Sequence, residues 1–204
     1  MTEKNISIVQ SKNNEYSNAA AKFFAKVGAV LSCAAFLLLL GEGFASIKNY
    51  IIIAIGAALI CAGVLVLKKI GQYIALAFPA VSIVLALVLS SMTKNGMFLL
   101  ANDFLDFLSL KTGKIYLDFS TEGSASPEIV FTVVAAFTVL LLSTAVSTKN
   151  IIPAIPVAII VIVGCSCGFL NTGVYLFLLF AGMIMLCLGI FIPENHSAAG
   201  IKTA

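Results

Sequence analysis

Six apolar runs, each without a charged residue, alternate with polar segments along this chain of 204 residues. They are Val27–Leu40, Tyr50–Leu67, Tyr73–Ser91, Ile129–Ser147, Ile151–Leu170 and Val174–Ile192. A helix rises about 1.5 Å per residue, so about 18 to 20 residues cross a hydrocarbon core of roughly 30 Å. Five runs reach this length, and the first reaches it through residues 23–25 if Lys22 and Lys26 extend towards the headgroups. The sequence therefore predicts an all-α integral membrane protein with six transmembrane helices.

Composition favours a lipid environment over an aqueous one. Hydrophobic residues make up 61% of the chain and charged residues 10%, whereas soluble domains carry about 25% charged residues. An apolar exterior is what a bilayer requires, so the lipid bilayer is the first expected partner. All the basic residues are Lys, and nucleic-acid recognition favours Arg, so we expect no nucleic-acid partner.

Lysine placement predicts the orientation. With six crossings, eight lysines and three acids lie on one side, and four lysines and six acids lie on the other, which gives net charges of +5 and −2. Lysine-rich loops stay in the cytoplasm, so we predict a multi-pass protein of the cell membrane with both termini cytoplasmic. Residues 1–22 are predicted as a mobile cytoplasmic tail, residues 23–192 as the membrane domain, and residues 193–204 as a second cytoplasmic tail.

The outer loop, residues 92–126, has a pattern of its own. On a helical wheel of residues 96–110, most apolar side chains share one face, and the polar side chains Asn102, Asp103, Asp106 and Ser109 share the other. The apolar face consists of Met97, Leu100, Phe104, Phe107 and Leu108, and Leu99 and Leu110 break the pattern. This pattern predicts an interfacial helix between transmembrane helices 3 and 4, lying flat on the membrane or capping the bundle with its polar face outward. Residues 111–120 alternate after a glycine, which predicts a short strand or extended segment. The candidate surface for a protein partner consists of Asn102, Asp103, Asp106, Tyr116 and Asp118.

Small residues at helical spacing predict where helices pack closely. They are Ala54, Ala58 and Ala62 on the second span, and Gly164 and Gly168 on the fifth. The fourth span has a predicted start at Ser126-Pro127-Glu128, with the serine as N-cap, the proline in the first turn and the acid at the positive end of the helix dipole.

Metal and cofactor sites are not predicted. The five cysteines, Cys33, Cys61, Cys165, Cys167 and Cys187, all lie inside apolar runs, where small packing residues are expected. Cys165 and Cys167 lack the further ligands and the spacing of a zinc site.

Catalytic residues are not predicted either. Residues 164–168 fit the G-x-S-x-G pattern of a serine nucleophile, but Ser166 needs a base. The only histidine, His196, is predicted on the opposite side of the membrane. The spans contain no carboxylate or histidine, which disfavours ion-coupled transport, while a transport site of carbonyls and hydroxyls remains open.

The order of elements resembles the N-terminal membrane region of bacterial transglutaminase-like membrane proteins. Three spans are followed by an outer loop, NDFLDFLSLKTGKIYLDF, and by three more spans that begin at STKNIIPAIP. The loop carries a T-G-x-x-Y-x-x-F spacing at Thr112, Gly113, Tyr116 and Phe119. The resemblance implies an extracytoplasmic domain with a Cys-His-Asp site, and these 204 residues contain no such domain. No catalytic residue is therefore assigned from it.

The expected function is that of a non-catalytic multi-pass membrane module that anchors or positions a partner or an extracytoplasmic domain. A second hypothesis is a substrate-binding subunit of a small-molecule transporter, because such subunits of vitamin transporters have a similar length and helix number and an outer loop that closes over the ligand. A third is a permease-like subunit of an export complex.

Overall fold

The computed structural model describes residues 2–121, 123–170 and 173–192, with side chains from residue 19 onwards except that of Lys68. Within these ranges the regular structure is entirely helical. The helices are α1 (Thr2–Gly43), α2 (Tyr50–Val66), α3 (Lys68–Val88), α4 (Ser90–Thr112), α5 (Pro127–Thr148), α6 (Ile155–Cys167) and α7 (Gly173–Phe191), with a short 3-10 helix at Ile152–Ala154 before α6.

Four helical segments are long and apolar enough to cross a membrane. They are Ala19–Gly43, Lys69–Val88, Pro127–Thr148 and Gly173–Phe191. They correspond to the first, third, fourth and sixth predicted spans and indicate a membrane protein. The second predicted span forms α2, with 17 residues, and the fifth is divided between the 3-10 helix and α6, with 13 residues. Pro153 and Pro156 lie on either side of this division. Because a proline has no backbone N–H to donate, these two residues interrupt the hydrogen bonding of a continuous helix.

Several helix boundaries differ from the predicted ones. Helix α3 begins at Lys68, before the apolar run that starts at Tyr73, and ends before Leu89, which separates α3 from α4. The predicted tail, residues 1–22, continues α1 as helix from Thr2, while its mobility and cytoplasmic location stay predictions. The second predicted tail, residues 193–204, lies outside the described residues.

Helix α5 lies at the centre of the bundle. It contacts α1, α2, α3, α4 and the 3-10 helix. Its buried face includes Phe131, Ala135, Val139 and Leu142, each at most 2% exposed. The peripheral helices have large apolar side chains on their outer surfaces, among them Leu59, Leu76, Ile162 and Phe177. Such a surface suits contact with lipid tails.

Helices α1 and α7 approach each other at glycines. A Cβ atom placed on Gly182 of α7 would lie 2.6 Å from Ser32 Oγ and 2.8 Å from the Ser32 backbone nitrogen. Gly28 of α1 faces the backbone of Leu186 with as little room, and Gly189 faces α1 in the same way. Small residues therefore let these two backbones come close, as in other membrane bundles.

The small residues that were predicted to pack between helices lie on α2 and at the end of α6. Ala54 is fully buried, but the buried face of α2 continues through Ala57 and Cys61, so Ala58 and Ala62 are only half-buried. Gly168 ends α6 in the left-handed conformation, with φ 77°. Gly164 faces Leu170, whose Cγ would lie 2.7 Å from an added Cβ. Both glycines therefore lie at the end of α6, and the predicted face between helices stays a prediction.

Helices α2 and α6 run between the same two ends of the bundle as the four longer helices. One end, here called the lysine end, brings together Lys26 of α1, Leu65 of α2 and Lys69 of α3 around a common cavity. At the opposite end, α4 contacts the α1–α2 connection through Ser46 and the end of α6 through Phe169.

Candidate functional site

The end of the bundle opposite the lysine end is covered by a cap, defined as residues 90–121 and 123–126. It consists of α4 and the segment that leads to α5. Helix α4 is longer than the predicted helix at residues 96–110 and ends at Gly113, whose left-handed φ of 67° favours glycine. Residues 114–121 follow without regular structure, so the predicted strand does not form there.

Asp103 ties the cap to the connection between α1 and α2. Its carboxylate accepts a hydrogen bond from the Ser46 backbone nitrogen at 2.9 Å and another from Ser46 Oγ at 2.9 Å. The side chain is half-buried. The helical wheel predicted this residue on the outward face, so its orientation is a correction. A helical wheel describes one helix alone, so it could not include Ser46, the polar partner in the α1–α2 connection.

An aromatic cluster attaches the same helix to the end of α6. Phe169 lies at its centre, with ring centroids 5.0 Å from Phe44, 5.4 Å from Phe104 and 5.1 Å from Phe107. All three contacts are edge-to-face, the favoured geometry for aromatic pairs. The cluster joins the ends of α1 and α6 to α4 and so limits the movement of the cap.

The segment 114–121 is held against α4 by Asn102. The Phe119 backbone N–H donates to Asn102 Oδ1 at 2.8 Å, and Asn102 Nδ2 donates to the Phe119 carbonyl at 3.0 Å. The Phe119 ring stacks on Phe98 with centroids 5.2 Å apart. The asparagine therefore acts on this segment as a neighbouring strand would.

The cap also attaches to the start of α5. The Ser126 backbone N–H donates to the Met92 carbonyl at 3.2 Å. Gly96 lies so close to Ser126 and Pro127 that a Cβ atom would be 2.5 Å from the Ser126 carbonyl oxygen. Pro127 and Glu128 occupy the first turn as predicted. The Ser126 hydroxyl, however, donates to Glu128 Oε2 at 3.4 Å and makes no side-chain cap.

The remaining surface of the cap mixes large apolar side chains with acids. Leu110 is 87% exposed, Ile115 95% and Leu117 92%. Asp106 and Asp118 are exposed beside them. Among the five residues of the predicted interaction surface, Asn102 and Asp103 hold the cap in place and Tyr116 is half-buried, with its hydroxyl 3.5 Å from Thr112 Oγ1.

A cavity of about 580 Å³ lies between α3 and the cap. Its lining is almost wholly apolar and includes Leu87, Met97, Phe98, Phe119 and Val133. Lys94 is the one charged residue among the described lining residues, and its Nζ lies 5.5 Å from the centre of the Phe98 ring. The cavity therefore has room for an apolar molecule with an anionic end.

Metal-binding groups are not brought together in the described part of the chain. No three His, Cys, Asp or Glu residues there could hold a metal ion. Cys33 and Cys61 are buried and Cys167 is exposed, and the described cysteines are free. Ser166 is exposed on α6, and His196 lies outside the described residues. Comparisons of the chain with protein-family models, with curated proteins and with solved structures find no match.

Proposed function

We propose that this chain is a non-catalytic membrane module with six crossings, which holds the cap on the outer side of the cell membrane to anchor or position a partner or an extracytoplasmic domain. The observation that carries the proposal is the asymmetry of the cap. Asp103, Asn102 and the Phe169 cluster fix its inner side, while Leu110, Ile115 and Leu117 lie exposed on its other side.

Six crossings are favoured because α2 and α6 connect the same two ends as the four longer helices. At about 1.5 Å per residue, the 17 residues of α2 measure roughly 25 Å. Helix α6 with its preceding 3-10 helix has a similar length. A bilayer thins locally around short spans at a cost of a fraction of a kcal/mol per Å. Both helices are therefore long enough to cross within this bundle.

Charge favours the cap as the outer end. Glu42, Asp103, Asp106, Asp118 and Glu128 lie at the cap end. The opposite end has a cluster of lysines around one cavity. The excess of lysines marks the cytoplasmic side, and an even number of crossings then places both termini in the cytoplasm.

A protein partner suits the cap surface better than lipid tails alone. A carboxylate at the bilayer centre costs about 3 kcal/mol, and Asp106 and Asp118 are exposed among the apolar residues. Water must therefore reach this surface. Exposed apolar side chains beside carboxylates suit a partner surface with apolar pockets and basic side chains. The resemblance to the membrane region of transglutaminase-like proteins agrees with this proposal, since an extracytoplasmic domain follows that region.

A photo-crosslinking side chain at Asp106, in cells, tests the proposal. We expect a protein adduct of one defined mass that the double variant Ile115→Ser, Leu117→Ser removes, because those two side chains would lose their contact with the partner. The matched control, Leu76→Ser with Phe177→Ser on the sides of the bundle, should keep the adduct. An adduct with lipid alone, or loss of the adduct in both double variants, would contradict a partner at the cap.

The cavity beside α3 favours a second candidate function, a substrate-binding or permease-like subunit of a small-molecule transporter. Its volume of about 580 Å³ is in the range of small-molecule sites. If one small molecule stays bound through purification and is lost in Ala86→Phe, which fills the cavity, this candidate is favoured over anchoring.

A further inference from the structure

The lysine end contains a cavity of about 320 Å³ between α1, α2, α3, α5 and α7. Its basic residues are Lys22 and Lys26 of α1, Lys69 of α3 and Lys149 at the end of α5. Among the described residues that line it there is no Asp or Glu. A cleft lined by charges of one sign raises the local concentration of ions of the opposite sign, so this cavity attracts anions.

The rest of the lining is mostly apolar. Val64, Leu65, Val146 and Ile190 form this part, while Gln72 and Ser147 add neutral hydrogen-bonding groups. A small soluble anion would contact the lysines and leave the apolar wall against water. An amphiphile with an anionic head would use both parts of the lining.

Lys149 occupies an unusual backbone position in this cavity. It ends α5 with φ 51°, the left-handed region, and is the one non-glycine residue with positive φ in the described part of the chain. Glycine or asparagine is favoured at such a helix end. The substitution Lys149→Gly therefore removes a positive charge and relaxes the backbone at the same time.

We propose that this cavity binds the phosphate group of an anionic phospholipid, with the phosphate among the lysines and the glycerol and first acyl carbons against the apolar wall. Basic pockets between transmembrane helices on the cytoplasmic side bind anionic lipid headgroups in this way. A soluble phosphate compound has the same anionic chemistry without an acyl chain, and the experiment below separates the two sources.

The test measures the association constant of spin-labelled phosphatidylglycerol relative to phosphatidylcholine for the purified full-length chain in nanodiscs. Phosphatidylglycerol is expected to bind preferentially. At about fivefold for each lysine near the headgroups, the triple variant Lys26→Gln, Lys69→Gln, Lys149→Gly should reduce the preference by at least about tenfold. The triple variant Lys94→Gln, Lys111→Gln, Lys114→Gln at the cap end should leave it unchanged.

Replacement of the same residues by arginine (Lys26→Arg, Lys69→Arg, Lys149→Arg) should retain the preference, which separates loss of charge from loss of fold. Absence of any preference in the wild-type protein would overturn the proposal. An equal loss of the preference in both neutralised triple variants would mean that the overall charge of the protein, and not this cavity, produces the preference, and would also overturn the proposal. Full displacement of phosphatidylglycerol by inorganic phosphate would make a soluble phosphate compound the occupant and also overturn the lipid assignment.

Discussion

At the scale of single residues, the position of the cap depends on a few polar side chains whose partners are distant in sequence. Asp103 binds Ser46 through both carboxylate oxygens, and Asn102 binds the backbone of Phe119 on both sides. Hydrogen bonds to a charged group contribute about 1.5 to 3 kcal/mol each in proteins. Partial exposure lowers this figure at Asp103. These contacts are nevertheless strong enough to decide how α4 is rotated.

Asp103→Asn is expected to lower the free energy of unfolding by about 1 to 2 kcal/mol, because the amide replaces one of two charged acceptors of Ser46. Asp106→Asn is the matched control on the same helix, since its side chain is exposed. Thermal unfolding of both variants in one detergent measures the difference. Equal unfolding temperatures for the two would mean that the contact with Ser46 does not hold the cap.

At the scale of helices, the closest packing is that of α1 with α7. Gly28 and Gly182 place the two backbones in direct contact, and Ser32 lies against Gly182. Without a hydrophobic driving force inside a bilayer, helix association depends on such close contacts. The α1–α7 pair is therefore where an added methyl group should have a large effect.

Gly182→Ala is expected to destabilise the bundle by about 1 to 3 kcal/mol, since the methyl group meets backbone atoms that cannot rotate away. Gly63→Ala on α2 is the control, because nothing lies within 4 Å of its Cβ position. Unfolding in a detergent of increasing denaturing strength compares the two. A Gly182→Ala protein as stable as Gly63→Ala would show that α1 and α7 are less closely packed than described.

Much of the helical architecture could be predicted from the sequence, because long uncharged apolar runs indicate membrane helices. The start of α3 at Lys68 could not, since polar residues at a helix end do not interrupt it. The end of α6 at Gly168 could not be predicted either, because spacing alone does not distinguish a helix end from a contact face. Gly28 and Ser32 lie four residues apart on α1, and this spacing of small residues is a pattern that indicates close helix packing.

The candidate site was less predictable than the fold. A helical wheel places Asp103 with Asp106, although only the first has a partner in the α1–α2 connection. Phe169 gathers three other phenylalanines from distant segments, and no periodic pattern connects them. Contacts of this kind depend on how the connections fold at the end of the bundle.

At the scale of the whole molecule, the two ends of the bundle differ in chemistry. The cap end has acids and exposed apolar side chains, and the opposite end has a lysine-lined cavity with apolar walls. Between them, the outward surface is apolar, as contact with lipid requires. Both the anchoring proposal and the lipid proposal require these ends to face opposite sides of a membrane.

Labelling of single cysteines in intact cells with a membrane-impermeant thiol reagent tests that central claim. In a background without the five native cysteines, Ile115→Cys in the cap should be labelled directly. Asn150→Cys, exposed just beyond Lys149 at the lysine end, should be labelled only after the membrane is permeabilised. Labelling of both positions from the same side of the membrane would contradict the six-crossing arrangement.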